Sequence, residues 1–268
     1  MTTKQLEEKA KEARKLLLQA AFSGRSGHIG SAFSPVDVIT ALYFDILRID
    51  PKRPGWDKRD IFILSKGHGC LGLYAVLALR GYFPCSALRN YFKDGSILAG
   101  HPVLGSAPGI EASTGSLGHG LPIGIGLALG FKKQKSQRRV VIMLSDGECD
   151  EGSTWEAVLA APNLRLDNLT VVVDYNKIQS FGRVEDVMPL EPFADKWKAF
   201  GWNVVEIDGH DMGEILKAFS KAGQVKKKPT VVIAHTVKGK GVRFMEDKME
   251  WHYFNLDEQK LKDALADI

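Results

Sequence analysis

The sequence predicts an α/β fold, a doubly wound, mostly parallel sheet with helices on both faces, built as one domain over residues 1–268. Short runs of β-branched and apolar residues recur along the chain, and the clearest is Arg139–Leu144. Such unbroken runs are typical of parallel strands that are buried on both faces. Helical patterns alternate with these runs, and no repeat, linker or change of composition divides the chain. Alternating strands and helices indicate a single doubly wound domain.

The first half of the chain is predicted to be mainly helical. Residues 4–22 repeat apolar side chains at helical spacing, with Lys and Glu between them, which indicates an amphipathic helix. This helix ends where Gly24 and Gly27 interrupt the pattern, and Pro35 is a favourable first residue for the next helix. The predicted helices of this half cover residues 4–22, 36–47, 71–79, 86–92 and 121–131, and the predicted strand covers residues 60–64.

The second half alternates strands and helices more regularly. Its strands are apolar runs that are bounded by Gly, Asp or Asn, and its helices carry apolar residues three and four apart. The predicted strands cover residues 139–144, 169–174, 203–207 and 230–234, and the predicted helices cover 153–161, 211–221 and the polar end of the chain.

Composition excludes several classes of protein. The net charge of +4 is too small to predict nucleic-acid binding, and the lysine clusters at 132–135 and 226–228 fall in predicted loops. No run approaches the roughly 18 apolar residues of a membrane span, and the Lys- and Glu-rich start does not resemble a signal peptide. The three cysteines, Cys70, Cys85 and Cys149, show no metal-binding spacing, which favours a reducing cytoplasm.

Oxygen ligands follow two predicted strands. Asp146 comes after the strand at 139–144, and Asn176 comes 30 residues further on, after the strand at 169–174. The carboxyl ends of parallel strands form one edge of the sheet, where ligands bind. Together with the main-chain carbonyl of Ile178, Asp146 and Asn176 offer oxygen ligands that suit Mg²⁺, for which Ca²⁺ or Mn²⁺ could substitute. Gly147 has no Cβ and so lets the backbone approach a diphosphate. An ordinary acidic loop is the alternative interpretation.

Histidines in predicted loops are the second candidate feature. His28, His68 and His101 each follow a glycine directly, and His252 lies beside an aromatic residue. A loop histidine taken alone is more often an ordinary surface residue. His68, however, lies just beyond a strand end, and imidazoles donate to phosphate oxygens and move protons near neutral pH. His119, His210 and His235 have weaker claims to a functional role.

Taken together, these segments resemble the amino-terminal, thiamine diphosphate-binding domain of transketolase. The matching segments occur in the family's order and cover nearly the whole chain. They are residues 26–30, 64–69, 100–102, 114–118, 145–152 and 174–178.

The resemblance implies a role for each matching residue. Asp146, Asn176 and the carbonyl of Ile178 would hold the metal. The implied cofactor-binding residues are His68, Gly115, Leu117, Asp146, Gly147, Glu151, Asn176 and Lys238, and the implied catalytic residues, which face the substrate and move protons, are His28, His101 and His252. Glu151 and Glu156 match an acidic pair that links two cofactor sites across a dimer, although acidic residues also suit the first turn of any helix.

The chain also departs from the family pattern. Ser145 replaces a glycine, Tyr175 stands where Asn or Asp is usual, and His119 stands where Gln is common. Complete transketolases continue into pyrimidine-binding and C-terminal domains. We therefore expect one subunit of a split transketolase, inactive alone and forming an α2β2 assembly with a chain that carries those domains. The complex would transfer a two-carbon ketol unit from a ketose to an aldose, acting on sugars or sugar phosphates.

Three alternatives remain at this point. The chain could be the α subunit of a 2-oxo acid dehydrogenase, although histidines at 28, 68 and 101 favour transketolase. It could be a non-catalytic subunit that holds the cofactor. A nicotinamide-binding Rossmann protein would need G-x-G-x-x-G directly after its first strand, and Gly115–Gly120 fits that pattern poorly.

Overall fold

A five-stranded parallel sheet forms the centre of the molecule, which a computed structural model describes for residues 1–268. Its strands lie in the order β1-β2-β3-β5-β4, and every neighbouring pair is parallel. The predicted α/β fold is therefore confirmed, and the sheet is wholly parallel. The strands are β1 (Ile61–Leu64), β2 (Val140–Ser145), β3 (Leu169–Tyr175), β4 (Asn203–Asp208) and β5 (Thr230–His235).

Ten α-helices surround the sheet. The six longest helices were all predicted from the sequence. Five of them begin and end within a few residues of the predicted bounds, and the sixth is the polar helix predicted at the end of the chain. The helices are α1 (Thr3–Gly24), α2 (Ile29–Phe33), α3 (Val36–Ala41), α4 (Cys70–Arg80), α5 (Gly120–Lys133), α6 (Gly152–Asn163), α7 (Val184–Val187), α8 (Phe193–Ala199), α9 (Met212–Ala222) and α10 (Glu258–Asp267).

Successive side chains of the strands enter two separate hydrophobic cores. Val141 and Met143 of β2 belong to a cluster of 49 buried residues that includes side chains of α1, α3, α4 and α9. Ile142 and Leu144 belong to a cluster of 26 buried residues with α5, α6 and α8. Because side chains alternate across a strand, an unbroken apolar run fills both faces of the sheet. This is the physical reason that the strands were recognisable in the sequence.

The register of the strands brings their carboxyl ends to one edge. Leu64 pairs with Met143, Ser145 pairs with Asp174, and Asp174 pairs with Ala234. The residues that immediately follow β1, β2, β3 and β5 therefore emerge side by side. This edge carries the candidate functional site.

Two predicted helices differ from the structure, and three short helices were not predicted. The helix expected over 36–47 is α-helical only to Ala41 and then widens into a π-helical turn over Leu42–Ile46, where the Leu47 amide donates to the Leu42 carbonyl at 2.8 Å. The helix expected near 86–92 is a 3-10 helix over Cys85–Asn90. Helices α2, α7 and α8 were not predicted, because their five, four and seven residues span too few turns to show a periodic pattern.

One stretch, Ile29–Ile46, is long and apolar enough by composition to cross a membrane, and 83% of it is buried inside the fold. A buried segment of a protein core meets the same criterion, so this stretch is weak evidence for a membrane span.

Candidate active site

A cleft of about 440 Å³ lies at the carboxyl edge of the sheet. It is bounded by the loops that follow β1, β2 and β3, together with the segments before α2 and after the 3-10 helix at Met249–His252. Eleven of the candidate residues line it: His28, His68, His101, Gly115, Leu117, Asp146, Gly147, Glu151, Asn176, Ile178 and His252. Strand ends and loop glycines in the sequence had pointed to the oxygen ligands and the histidines, whereas Gly115, Leu117 and Glu151 were implied only by the resemblance to transketolase.

Asp146, Asn176 and Ile178 form the oxygen-rich part of the cleft. The two carboxylate oxygens of Asp146 accept the amides of Gly147 at 2.8 Å and Lys177 at 2.7 Å, and Asn176 Oδ1 accepts the Ile178 amide at 3.1 Å. Burial, and then the charge of Asp174, raise the pKa of Asp146 to about 6. Asp146 takes part in no ion pair with another side chain. A buried carboxylate with free lone pairs and no cationic partner suits a bound metal cation.

Lys238 lies behind the cleft wall, where its side chain is buried. Its ammonium donates to the carbonyl of Ile178 at 2.9 Å and the carbonyl of Gln179 at 3.3 Å, and it contacts Nδ1 of His252 at 2.8 Å. An ammonium has three protons and accepts none, so these three acceptors satisfy it. Nδ1 of His252 is therefore unprotonated, and the Nε2–H of this ring is free to donate.

The four loop histidines form one cluster. The ring centroid of His28 lies 5.1 Å from that of His252, 5.6 Å from His68 and 6.2 Å from His101. Burial is the main cause that lowers the pKa of each ring, and the pKa of His252 falls to about 3. All four rings are therefore neutral at neutral pH. His28 also has a φ of 62°, a backbone conformation that is strained for a side chain of this size and is concentrated at functional sites.

The loop that carries Gly115 and Leu117 is anchored at the cleft. Gly115 has a φ of 136°, and a Cβ there would lie 2.7 Å from the ring of His101, so a side chain would displace that histidine. Glu148, for which the sequence predicted no role, accepts the amide of Gly118 at 3.0 Å and the hydroxyl of Ser65. This carboxyl group therefore joins the Leu117 loop to the ends of β1 and β2.

A buried ion pair supports the floor of the cleft and was not predicted. The ammonium of Lys66 contacts Asp174 Oδ2 at 2.5 Å, and the two side chains are 0% and 1% exposed. Asp174 also accepts from the hydroxyls of Ser34 and Thr236, and Asn176 Nδ2 lies 3.4 Å from it. Lys66 and Asp174 stand at strand ends, which is a signal the sequence contains. Their pairing across 108 residues is not visible there.

The departures from the family pattern have local explanations. The Ser145 hydroxyl accepts the amide of Glu148 at 3.2 Å, so the serine closes the turn and leaves Asp146 in place. Tyr175 is buried, and its hydroxyl donates to Glu191 at 2.8 Å. His119 is exposed and contacts the Leu117 carbonyl at 3.1 Å. Glu151 lines the cleft, whereas Glu156 is exposed on α6 outside it.

Comparisons with known proteins agree with this geometry. The chain is 40% identical over 268 residues to one subunit of the apulose-4-phosphate transketolase of Phocaeicola vulgatus, covering 100% of this chain and 95% of that protein. It is 42% identical over 263 residues to a 6-deoxy-6-sulfo-D-fructose transketolase subunit of a Clostridium species, covering 98% and 96% of the two chains.

Solved structures give the same assignment. The transketolase of Campylobacter jejuni superposes with a TM-score of 0.92 at 31% identity, over 98% of this chain and 42% of that longer one. The family model described as transketolase, thiamine diphosphate binding domain, matches residues 6–266. These findings confirm the resemblance seen in the sequence, and the chain belongs to the transketolase family.

Proposed function

We propose that this chain, one diphosphate-binding domain over residues 1–268, is the cofactor-binding subunit of a split transketolase in the cytoplasm. The observation that carries the proposal is the convergence of four histidines with Asp146, Asn176 and the Ile178 carbonyl on one cleft. Two relatives of nearly the same length are named transketolase subunits, which supports a split enzyme. Family membership argues against the α subunit of a 2-oxo acid dehydrogenase.

The cleft suits thiamine diphosphate and Mg²⁺ by its chemistry. A carboxylate, an amide oxygen and a main-chain carbonyl are the hard ligands that Mg²⁺ takes, and Mg²⁺ completes its shell with waters and phosphate oxygens. In our proposal Asp146, Asn176 and Ile178 hold the metal, while Gly147 and His68 face the diphosphate. The lone pair of the Ile178 carbonyl that Lys238 leaves free would serve as the ligand.

Thiamine diphosphate, when bound, supplies the nucleophilic carbon and the electron sink for breaking a carbon–carbon bond beside a ketone. The chain supplies orientation and proton transfer. His28 and His101, held neutral by burial, can accept the proton of a substrate hydroxyl. His252 presents an Nε2–H because Lys238 occupies Nδ1, so its role is to donate a hydrogen bond to a substrate oxygen. Gly115 and Leu117 would position the cofactor rings.

A partner chain would complete the enzyme. The Campylobacter transketolase is more than twice as long as this chain, which covers 42% of it. We propose that a second chain with pyrimidine-binding and C-terminal domains assembles with this one as α2β2, with Glu151 and Glu156 near the contact. The exposed aromatic side chains of Phe181 and Tyr253, which line the cleft, and of the neighbouring Phe254 are available for such a contact.

The donor is proposed to be a ketose with an anionic group. The two relatives are named for different sugars, one a phosphate and the other a sulfonate. A matched pair of ketoses with and without a terminal phosphate would test this. The phosphorylated sugar should have the lower KM, and equal KM values would contradict the proposal.

The proposed function is tested by a two-carbon transfer assay with thiamine diphosphate and Mg²⁺. The chain should be inactive alone and active when it is co-expressed with a candidate partner. Cofactor binding without transfer in the complete complex would instead indicate a non-catalytic cofactor-holding subunit or another thiamine-dependent reaction.

A further inference from the structure

A buried polar cluster lies outside the cleft and has no role in the proposed function. It joins Arg14 of α1, Asp37 of α3 and His210 of the loop between β4 and α9. Arg14 donates to both carboxylate oxygens of Asp37, at 2.9 and 2.6 Å, and Nδ1 of His210 lies 2.7 Å from Asp37 Oδ2. Arg14 and Asp37 are each 6% exposed.

The tautomer of His210 follows from its second contact. The main-chain amide of Val237 donates to Nε2 of His210 at 2.9 Å. A main-chain N–H can only donate, so Nε2 is unprotonated and the ring carries its proton on Nδ1, facing Asp37. The neutral ring thus bridges the buried carboxylate and the backbone of the segment after β5.

Val237 immediately precedes Lys238, which contacts His252 and the Ile178 carbonyl. The backbone on the other side of Lys238 is fixed by the amide of Gly239, which donates to the Gly30 carbonyl at 3.1 Å. His210 supplies the corresponding hydrogen bond on the preceding side. The carbonyls of Val237 and Lys238 accept the amides of Lys240 at 3.2 Å and Asp247 at 3.0 Å, so the loss of the His210 bond would loosen this peptide on one side and leave the Val237 amide unpaired.

We propose that His210, oriented by Asp37, is a positioning residue that holds Lys238 against His252 and thereby fixes the tautomer of His252. The inference rests on the proposed function, because it assigns a support to two residues of that site. Carboxylates commonly accept one ring N–H of a metal-bound or catalytic histidine and so fix the orientation of its ring. Asp37 does the same for His210, but the other ring nitrogen of His210 accepts a backbone amide instead of binding a metal or a substrate. His210 itself does not line the cleft.

The inference is tested on the full chain labelled with ¹⁵N in its histidines. Long-range ¹H–¹⁵N spectra distinguish the two ring nitrogens of His252. The variants are His210→Phe, Lys238→Met and the double variant, and the control is His235→Phe, which removes a nearby imidazole that contacts Glu206 at 3.1 Å. A thermal melt of each variant shows that it is folded.

In the unsubstituted chain, Nδ1 of His252 should resonate as an unprotonated acceptor. Lys238→Met should shift this signal, His210→Phe should produce at least half of the same shift, and the double variant should match Lys238→Met. The control should leave the signal in place. A folded His210→Phe variant with an unshifted His252 signal would overturn the inference, as would an unshifted signal in Lys238→Met. If His210→Phe does not fold, His210→Leu provides the same comparison.

Calorimetric titration of the partner complex with thiamine diphosphate and Mg²⁺ is the second readout. His210→Phe should raise the Kd for thiamine diphosphate. In a chain that already carries Lys238→Met, the further substitution His210→Phe should raise Kd by less than about twofold, because the effects of two residues that act through one another are not additive. Independent, multiplicative effects would contradict the inference. If the partner complex of the unsubstituted chain binds no thiamine diphosphate, the proposed function fails, while the His252 signals still decide the role of His210.

Discussion

The buried Lys66–Asp174 pair beneath the cleft makes a quantitative prediction. Replacing Lys66 by methionine keeps the length of the side chain and removes the ammonium that contacts Asp174. Removing one partner of a buried ion pair leaves an uncompensated charge and costs about 3–5 kcal/mol. Hydroxyl groups of Ser34 and Thr236 still donate to Asp174. We therefore expect the lower end of that range, about 3 kcal/mol of unfolding free energy.

Urea unfolding followed by circular dichroism measures this cost. Lys66→Met/Asp174→Asn, which removes both charges, should recover at least about 1 kcal/mol relative to Lys66→Met. The matched control is Lys198→Met, which breaks an exposed pair with Asp195 and should leave the unfolding free energy unchanged. A Lys66→Met variant as stable as the unsubstituted chain would refute the reasoning that the pair holds the floor of the cleft.

Two further predictions concern acid stability and the Gly115 loop. Burial alone would raise the pKa of Asp37, but the neighbouring guanidinium and imidazole lower it to about 2 from its ordinary 3.8. The ionised Asp37 carboxylate therefore adds about 2 kcal/mol to the unfolding free energy above about pH 4, and this contribution is lost as the pH falls towards 2. Urea titrations at both pH values should show a smaller acid loss in Asp37→Asn, and an equal loss would contradict the assignment. Gly115→Ala should displace His101 and lower the transfer rate at least about tenfold. Gly126→Ala, at an open helical position, is the control and should retain full activity; equal rates in the two variants would exclude a role for the close contact at Gly115.

Much of the fold could be predicted because each strand is a local pattern. Both cores are filled by alternate residues of the same short run, so β2 and β3 appear in the sequence as continuous β-branched stretches. Because the strands are parallel, their carboxyl ends can be expected at one edge of the sheet even when the register is not known. For this reason Asp146 and Asn176 were correctly expected to share one cleft.

The interactions that could not be predicted join distant parts of the chain. Lys66 contacts Asp174, which lies 108 residues further along the chain, and His210 contacts Asp37, which lies 173 residues before it. Each of these four residues has no periodic or spaced partner in its own segment. The local sequence around it therefore does not indicate which distant residue it contacts. The π-helical turn after α3 is similar, since packing decides where a helix widens.

The metal and cofactor assignment is tested most directly by calorimetric titration of thiamine diphosphate in the presence and absence of Mg²⁺. We predict saturable, Mg²⁺-dependent binding by the unsubstituted chain in its partner complex and by an Asp195→Ala control. We predict no binding by Asp146→Ala, because the buried carboxylate ligand is gone. Equally tight, Mg²⁺-dependent binding by Asp146→Ala would contradict the assignment of this cleft as the thiamine diphosphate site.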